Sequence, residues 1–189
     1  MKKEDLVIRT ARVEDARMLA EIVCMGIGCE ETLKNYCGED YVSVLTEVAR
    51  SEGAQYSYRN ALVAEIDGAI VGGVIGYDGG QLYPLREETY RIVQRYHAHV
   101  PSIVDETAAG EFYVDSLAVL PEYRGCGVGS ALLDEMCKHA FSKGHQKVGL
   151  LVDTDNPKAE QLYLSVGFRR VNPTTFFHHT MWHMQRISD

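Results

Sequence analysis

Residues Leu117 to Ser130 run from an apolar stretch through a turn carrying Gly125, Gly127 and Gly129 into an amphipathic helix. A strand-to-helix junction of this kind can hold an anion. The first turn of a helix leaves backbone N–H groups without carbonyl partners and is the positive end of the helix dipole. Glycines there remove the side chains that would keep a phosphate at a distance, so a pyrophosphate fits. The spacing excludes two common nucleotide loops. A Rossmann turn needs G-x-G-x-x-G, and Ser130 stands where its third glycine belongs; a Walker loop needs Gly-Lys-Ser/Thr. Taken alone, three glycines equally suit a plain tight turn, so the rest of the chain has to decide.

The 189 residues, 46% hydrophobic and 24% charged, suit one domain spanning 1–189. No window approaches the run of about 18 apolar residues that a membrane span needs, and Met1 to Asp5 leads into no signal-type segment. The expectation is a cytoplasmic protein without a membrane partner. Five scattered cysteines (Cys24, Cys29, Cys37, Cys126, Cys137) without a CxxC pair argue against both a disulfide framework and a zinc knuckle. A formal charge of −8 opposes nucleic-acid binding and favours a cationic acceptor.

Periodicity predicts a strand at Leu6–Arg9, helices at Glu14–Met25 and Tyr41–Arg50, and two strands, Ala61–Glu65 and Ala69–Tyr77, joined at Asp67-Gly68. The stretch 78–110 is too long for a hairpin and reads as an insertion carrying a helix. Pro84 opens that helix, Leu85, Thr89, Ile92, Val93, Tyr96 and Val100 form its stripe, and Pro101 stops it. A strand at Glu111–Val119, a helix at Val128–Ser142, a strand at Lys147–Val152 and a helix at Pro157–Val166 follow, with two antiparallel strands after Phe168. Simple alternation puts Glu111, Tyr113, Asp115, Leu117 and Val119 on one face of the 111–119 strand.

Arg124 to Gly129 resembles the R/Q-x-x-G-x-G/A pyrophosphate loop of the GNAT superfamily of acetyltransferases, with its usual apolar strand and Pro-Glu-Tyr lead-in. Asn156 to Phe168 resembles that superfamily's later N-x-x-A-x-x-L-Y-x-x-x-G-F block, and Ile8 to Ala16 resembles its N-termini. The likeness covers most of the chain outside the insertion. It implies an α/β (in some schemes α+β) fold: a mixed, mostly antiparallel sheet of six or seven strands, splayed between strands 4 and 5 and flanked by helices.

The resemblance also implies acetyl-coenzyme A as cosubstrate and no metal. Its pantetheine arm would hydrogen-bond like an added strand to Leu117, Ala118 and Val119. Its pyrophosphate would lie on Arg124, Gly125, Cys126, Gly127, Val128, Gly129 and Ser130, with Arg124 adding a charge-assisted contact. Asn156 caps the helix at Pro157 and, as in relatives, would also contact the coenzyme. The acceptor must lose a proton, because an alkylamine of pKa near 10.4 is only about one part in 2,500 neutral at pH 7. Counting back from Arg124, Glu111 falls where histone-acetyltransferase-type members carry their general base, with Asp115 the second choice. Tyr163 matches the usual general acid, and a phenol keeps its proton at pH 7. A backbone N–H near Val119 would stabilise charge on the carbonyl oxygen.

His97 and His99, and the group His178, His179 and His183, lack zinc-site spacing. The acceptor pocket is expected between Gly26–Asp40, the insertion and the final hairpin. A small-molecule amine is the favoured acceptor, ahead of a protein N-terminus or lysine. A coenzyme A sensor without turnover is the rival outside enzymology, and a homodimer interface on the inserted helix and last strands is compatible with any of these.

Overall fold

Seven strands form one sheet in the order β1-β2-β3-β4-β5-β7-β6, in a computed structural model that describes residues 6–96, 104–176 and 179–188. The strands are β1 (Leu6–Thr10), β2 (Ala61–Ile66), β3 (Ala69–Asp78), β4 (Phe112–Val119), β5 (Lys147–Asp153), β6 (Arg169–Phe176) and β7 (His179–Ile187). All neighbours are antiparallel except β4 and β5. The β2–β3 connection is tight because Asp67 and Gly68 both take positive φ, 52° and 77°, matching the twist of a two-residue hairpin.

Among the described residues six α-helices flank the sheet: α1 (Ala16–Ile27), α2 (Glu30–Cys37), α3 (Tyr41–Arg50), α4 (Leu82–Val93), α5 (Val128–Ser142) and α6 (Pro157–Ser165). Leu19, Ile22 and Val23 of α1 and Val44, Leu45 and Val48 of α3 bury one face against Val63, Ile75 and Ala118. Leu132, Leu133 and Met136 of α5 bury the other against Leu62, Val74, Val114, Leu150 and Phe168. Helix α1 approaches β3 closely at a glycine: a Cβ at residue 73 would lie 2.5 Å from Ile22 Cδ1 and 3.1 Å from the Leu62 carbonyl.

Helix α2 lies in a stretch where periodicity predicts no element. It buries only Leu33, Tyr36 and Cys37, too narrow a stripe to stand out, and is bounded by acidic Glu30 and Glu31 and by Gly38. The insertion does carry a helix, α4, which starts at Leu82 and ends at Val93. The expected continuation is corrected at Gln94 to Tyr96, which form a turn that leaves Tyr96 exposed rather than on the buried stripe; the rest of it, residues 97–101, like His178, lies outside the described residues. Pro173 sits within β6, and this strand is the edge of the sheet, where a missing N–H costs no ladder bond.

The expected alternation along β4 fails at one residue. Ile75 pairs with Ser116 and Gly76 with Val114, so Asp115 faces no residue of β3. This bulge reverses the phase beyond it. Leu117 and Val119 join Phe112 and Val114 on the α5 face, while Ala118 belongs to the α1 face and Ser116 lies against Gly26. The predicted grouping of Leu117 and Val119 with Glu111, Tyr113 and Asp115 is thereby corrected.

Gly73→Ala is expected to destabilise the protein by about 1–3 kcal/mol by overpacking the α1–β3 contact. Urea denaturation at neutral pH checks this; an unchanged midpoint would mean that α1 shifts freely on the sheet.

Candidate active site

Among the described residues β4 and β5 pair only at Phe112–Val148 and Tyr113–Gly149, and β4 then parts from β5. Among the described residues no strand pairs with the β5-facing edge of β4 over 114–119, and it borders a cleft between the two strands. At its far end, Gly125 and Gly127 take φ of 76° and 85°, and added Cβ atoms there would meet nothing within 4 Å. The first helical bond of α5 runs from Ala131 N–H to the Gly127 carbonyl at 3.0 Å. The N–H groups of Val128, Gly129 and Ser130 therefore have no partner within the helix. Open space, positive backbone φ and orphan donors fit a diphosphate. Arg124 folds its Nε onto the Val119 carbonyl at 2.9 Å, at the mouth of the same cleft.

Helix α6 packs beside the start of α5, where a Cβ on Gly129 would lie 3.1 Å from Leu162 Cδ1. Asn156 accepts from Ala159 N–H at 3.2 Å, and Pro157 follows at the first helical position, so the cap that the sequence implies is present. Tyr163 packs beside Phe168, with ring centroids 6.2 Å apart, and burial pushes its hydroxyl up to about 12. Among the described residues no hydrogen-bond partner occupies that hydroxyl, and it remains protonated at neutral pH.

The two carboxylates singled out on β4 have different surroundings. Glu111, just before the strand, is buried and accepts from Thr107 Oγ1 at 2.8 Å and Gln185 Nε2 at 2.7 Å, with His183 Nε2 at 3.0 Å. Gly149 makes room for it, since a Cβ there would lie 2.1 Å from Glu111 Oε2. Burial opposes its ionisation, but the bonds from His183, Gln185 and Thr107 outweigh this and hold the carboxyl below its ordinary 4.5. Asp115 has only two neutral donors, Tyr77 Oη at 2.9 Å and Ser116 Oγ at 3.0 Å. Burial first, then the charge of Glu106, raises it to about 7.

Around Asp115 lie residues that no sequence pattern marks. Tyr77 Oη also lies 3.1 Å from Glu106 Oε1, and Gln55 Nε2 reaches both, at 3.1 and 3.0 Å. Arg86 of α4 pairs with Asp105 at 2.7 Å and with Glu106. A small cavity of about 80 Å³ opens beside them, walled by Asp105, Glu106, Leu151, Asn172, Thr174 and His183. A larger one, about 230 Å³, is walled by Gly76, Tyr77, Phe112, Met136, His139 and His145, where β4 begins. The histidines of the last strand go to separate carboxylates: His183 to Glu111, and His179 to Asp153 at 2.8 Å.

The sequence profile of the Acetyltransferase (GNAT) family matches residues 30–168. The chain belongs to that family, whose members use acetyl-coenzyme A. An acetyltransferase crystal structure superposes with a TM-score of 0.82 at 31% identity, covering 97% of this chain and all of the other. An N-acetyltransferase from Staphylococcus aureus Mu50 superposes equally well at 25% identity, covering 95% and 99%. The chain is also 41% identical over 70 residues to a mycothiol acetyltransferase of Kocuria rhizophila, and 35% identical over 66 residues to a thialysine N-epsilon-acetyltransferase of Sus scrofa. Those stretches are 37% and 35% of this chain, and span only 22% and 39% of the two relatives. No helix among the described residues is long and apolar enough to cross a membrane.

Because Glu111 titrates below 4.5, its contribution to stability is complete above that pH and is lost as pH falls through the lowered value. Glu111→Gln is expected to cost about 1–3 kcal/mol at pH 7, with the gap to the native protein closing on acidification. Denaturation midpoints between neutral and acid pH test this; a gap independent of pH would show that the charge is not what the three donors hold.

Proposed function

We propose that the protein transfers an acetyl group from acetyl-coenzyme A to a primary amine of a small molecule, by direct attack in a ternary complex. The observation that carries this reading is the parting of β4 from β5, with a diphosphate-sized turn at one end and Asp115 beside the parting strands. Two relatives carry names built on small molecules, mycothiol acetyltransferase and thialysine N-epsilon-acetyltransferase. The cavity beside Asp105 and Glu106 is small and partly acidic, which suits a compact cation better than a peptide. A location in the cytoplasm fits such a substrate.

Acetyl-coenzyme A supplies the acetyl group as an activated thioester. The backbone N–H groups of Val128 to Ser130 bind its diphosphate, with Arg124 swinging from the Val119 carbonyl onto a phosphate oxygen. The edge of Leu117 to Val119 holds the pantetheine arm, and an N–H of that edge steadies negative charge on the carbonyl oxygen. Asp115 takes the proton of the acceptor ammonium. Its carboxyl, raised to about 7, is matched to that task near neutral pH, whereas Glu111 has its oxygens committed to three partners. Tyr163, protonated and without a hydrogen-bond partner among the described residues, gives its proton to the departing thiolate and regains one from the second proton that the nitrogen sheds as the amide forms.

Thiol release from acetyl-coenzyme A against polyamines, amino acids, aminoglycosides and short peptides tests the reading. Tyr163→Phe and Asp115→Asn are each expected to lower kcat by about 100-fold or more, and Glu111→Gln by much less. Turnover with peptides alone would favour a protein acceptor. Tight binding of acetyl-coenzyme A without turnover on any amine would favour the sensor reading.

A further inference from the structure

Two carboxylates converge on one phenol. Tyr77 Oη lies 2.9 Å from Asp115 Oδ2 and 3.1 Å from Glu106 Oε1, and Gln55 Nε2 approaches both Tyr77 Oη at 3.1 Å and Glu106 Oε1 at 3.0 Å. Arg86 binds the second oxygen of Glu106 and anchors it from α4.

Counting hydrogens shows what this arrangement lacks. A phenol has one donor hydrogen and a primary amide has two, while an ionised carboxylate has none. Gln55 can serve both Tyr77 and Glu106. With both carboxylates ionised, Tyr77 can donate to Asp115 or to Glu106 but not to both, and one oxygen–oxygen contact has no hydrogen in it. Adding one proton at Asp115 Oδ2 completes the set: Asp115 donates to Tyr77, Tyr77 donates to Glu106, and Gln55 donates to both.

We propose that Asp115, Tyr77 and Glu106 act as one proton-accepting unit, in which Asp115 is the base and Tyr77 and Glu106 are positioning residues that reverse one hydrogen bond as the proton arrives. The proposal rests on the reading of Asp115 as the base. An N–H bond of the acceptor ammonium breaks and an O–H bond forms on Asp115. The Tyr77 hydroxyl keeps its own hydrogen throughout and turns it from Asp115 to Glu106.

The groups facing Asp115 agree with this direction. Burial and the Glu106 charge favour its protonated form; the hydroxyls of Tyr77 and Ser116 and the more distant Arg86 favour the ionised form. Tyr36 of α2, Tyr56 of the loop after α3, and Tyr113 of β4 complete the surroundings. These phenols and Tyr77 are all held well above their usual 10 by burial, so none of them competes for the proton near neutrality. The unit also gives the insertion a chemical purpose, since Arg86 and Glu106 both come from it.

The decisive experiment is the pH dependence of kcat/KM for an accepted amine. Glu106→Gln removes the like charge and should move the acidic limb to lower pH by about one unit, whereas Tyr77→Phe removes a bond to the ionised form and should move it up by about one unit. A purely structural role for either residue would change amplitudes and leave the limbs in place. Limbs unmoved, or moved in one direction by both variants, overturn the proposal if Asp115→Asn has abolished turnover. Full turnover in Asp115→Asn would instead remove the base assignment beneath it. If either variant melts before it can be assayed, infrared spectra of the native protein decide. A protonated-carboxyl band that disappears with a midpoint near 7 is expected, and the absence of any such titrating band refutes the unit.

Discussion

The bulge at Asp115 is the constraint on which the site depends. One residue of β4 without a partner on β3 changes which face every later residue of the strand presents. Leu117 and Val119 are thereby turned into the core beneath α5, and Asp115 is left on the α1 side among tyrosines. The same segment is where β4 leaves β5, after only two paired positions. One local irregularity thus accompanies both the cleft for an extended ligand and a carboxyl group at its edge.

What could be read from the sequence is what depends on short-range spacing. The turn at Arg124 to Ser130 and the block from Asn156 to Phe168 each lie within one strand–helix junction or one helix, so their residue types sit together in the chain as well as in space. The strand and helix order followed from apolar periodicity for the same reason. The bulge could not be read this way, because register is a property of two strands, and nothing in Tyr113 to Leu117 marks the extra residue. Helix α2 was hidden by its short, mostly polar sequence and is held by packing of Leu33, Tyr36 and Cys37.

The polar network was illegible for a further reason. Gln55, Tyr77, Arg86, Glu106 and Asp115 come from a loop, β3, α4, the segment before β4, and β4 itself. No motif joins them; only the folded sheet brings one phenol within hydrogen-bond distance of two carboxylates. Conversely, the position that counting from Arg124 favoured, Glu111, is occupied by a carboxylate that three donors hold ionised. Counting places a residue along a strand, but its chemistry is set by donors on β7 and in the 104–111 segment that counting does not see.

The three buried or half-buried acids illustrate how surroundings divide labour among identical groups. Glu106 has a guanidinium on one oxygen and an amide on the other, and Glu111 has an amide, a hydroxyl and an imidazole. Asp115 is bonded only by two neutral hydroxyls and feels the repulsion of Glu106. Burial opposes the charge of both Glu111 and Asp115, but only Glu111 has partners strong enough to hold its carboxyl below the ordinary range. A base has to spend part of each turnover protonated, so the carboxyl group with the weakest stabilisation of its charge is the one suited to exchange. In this fold that group is placed where the strands separate, and Glu106 alone of the other two acids is joined to it, through the Tyr77 hydroxyl.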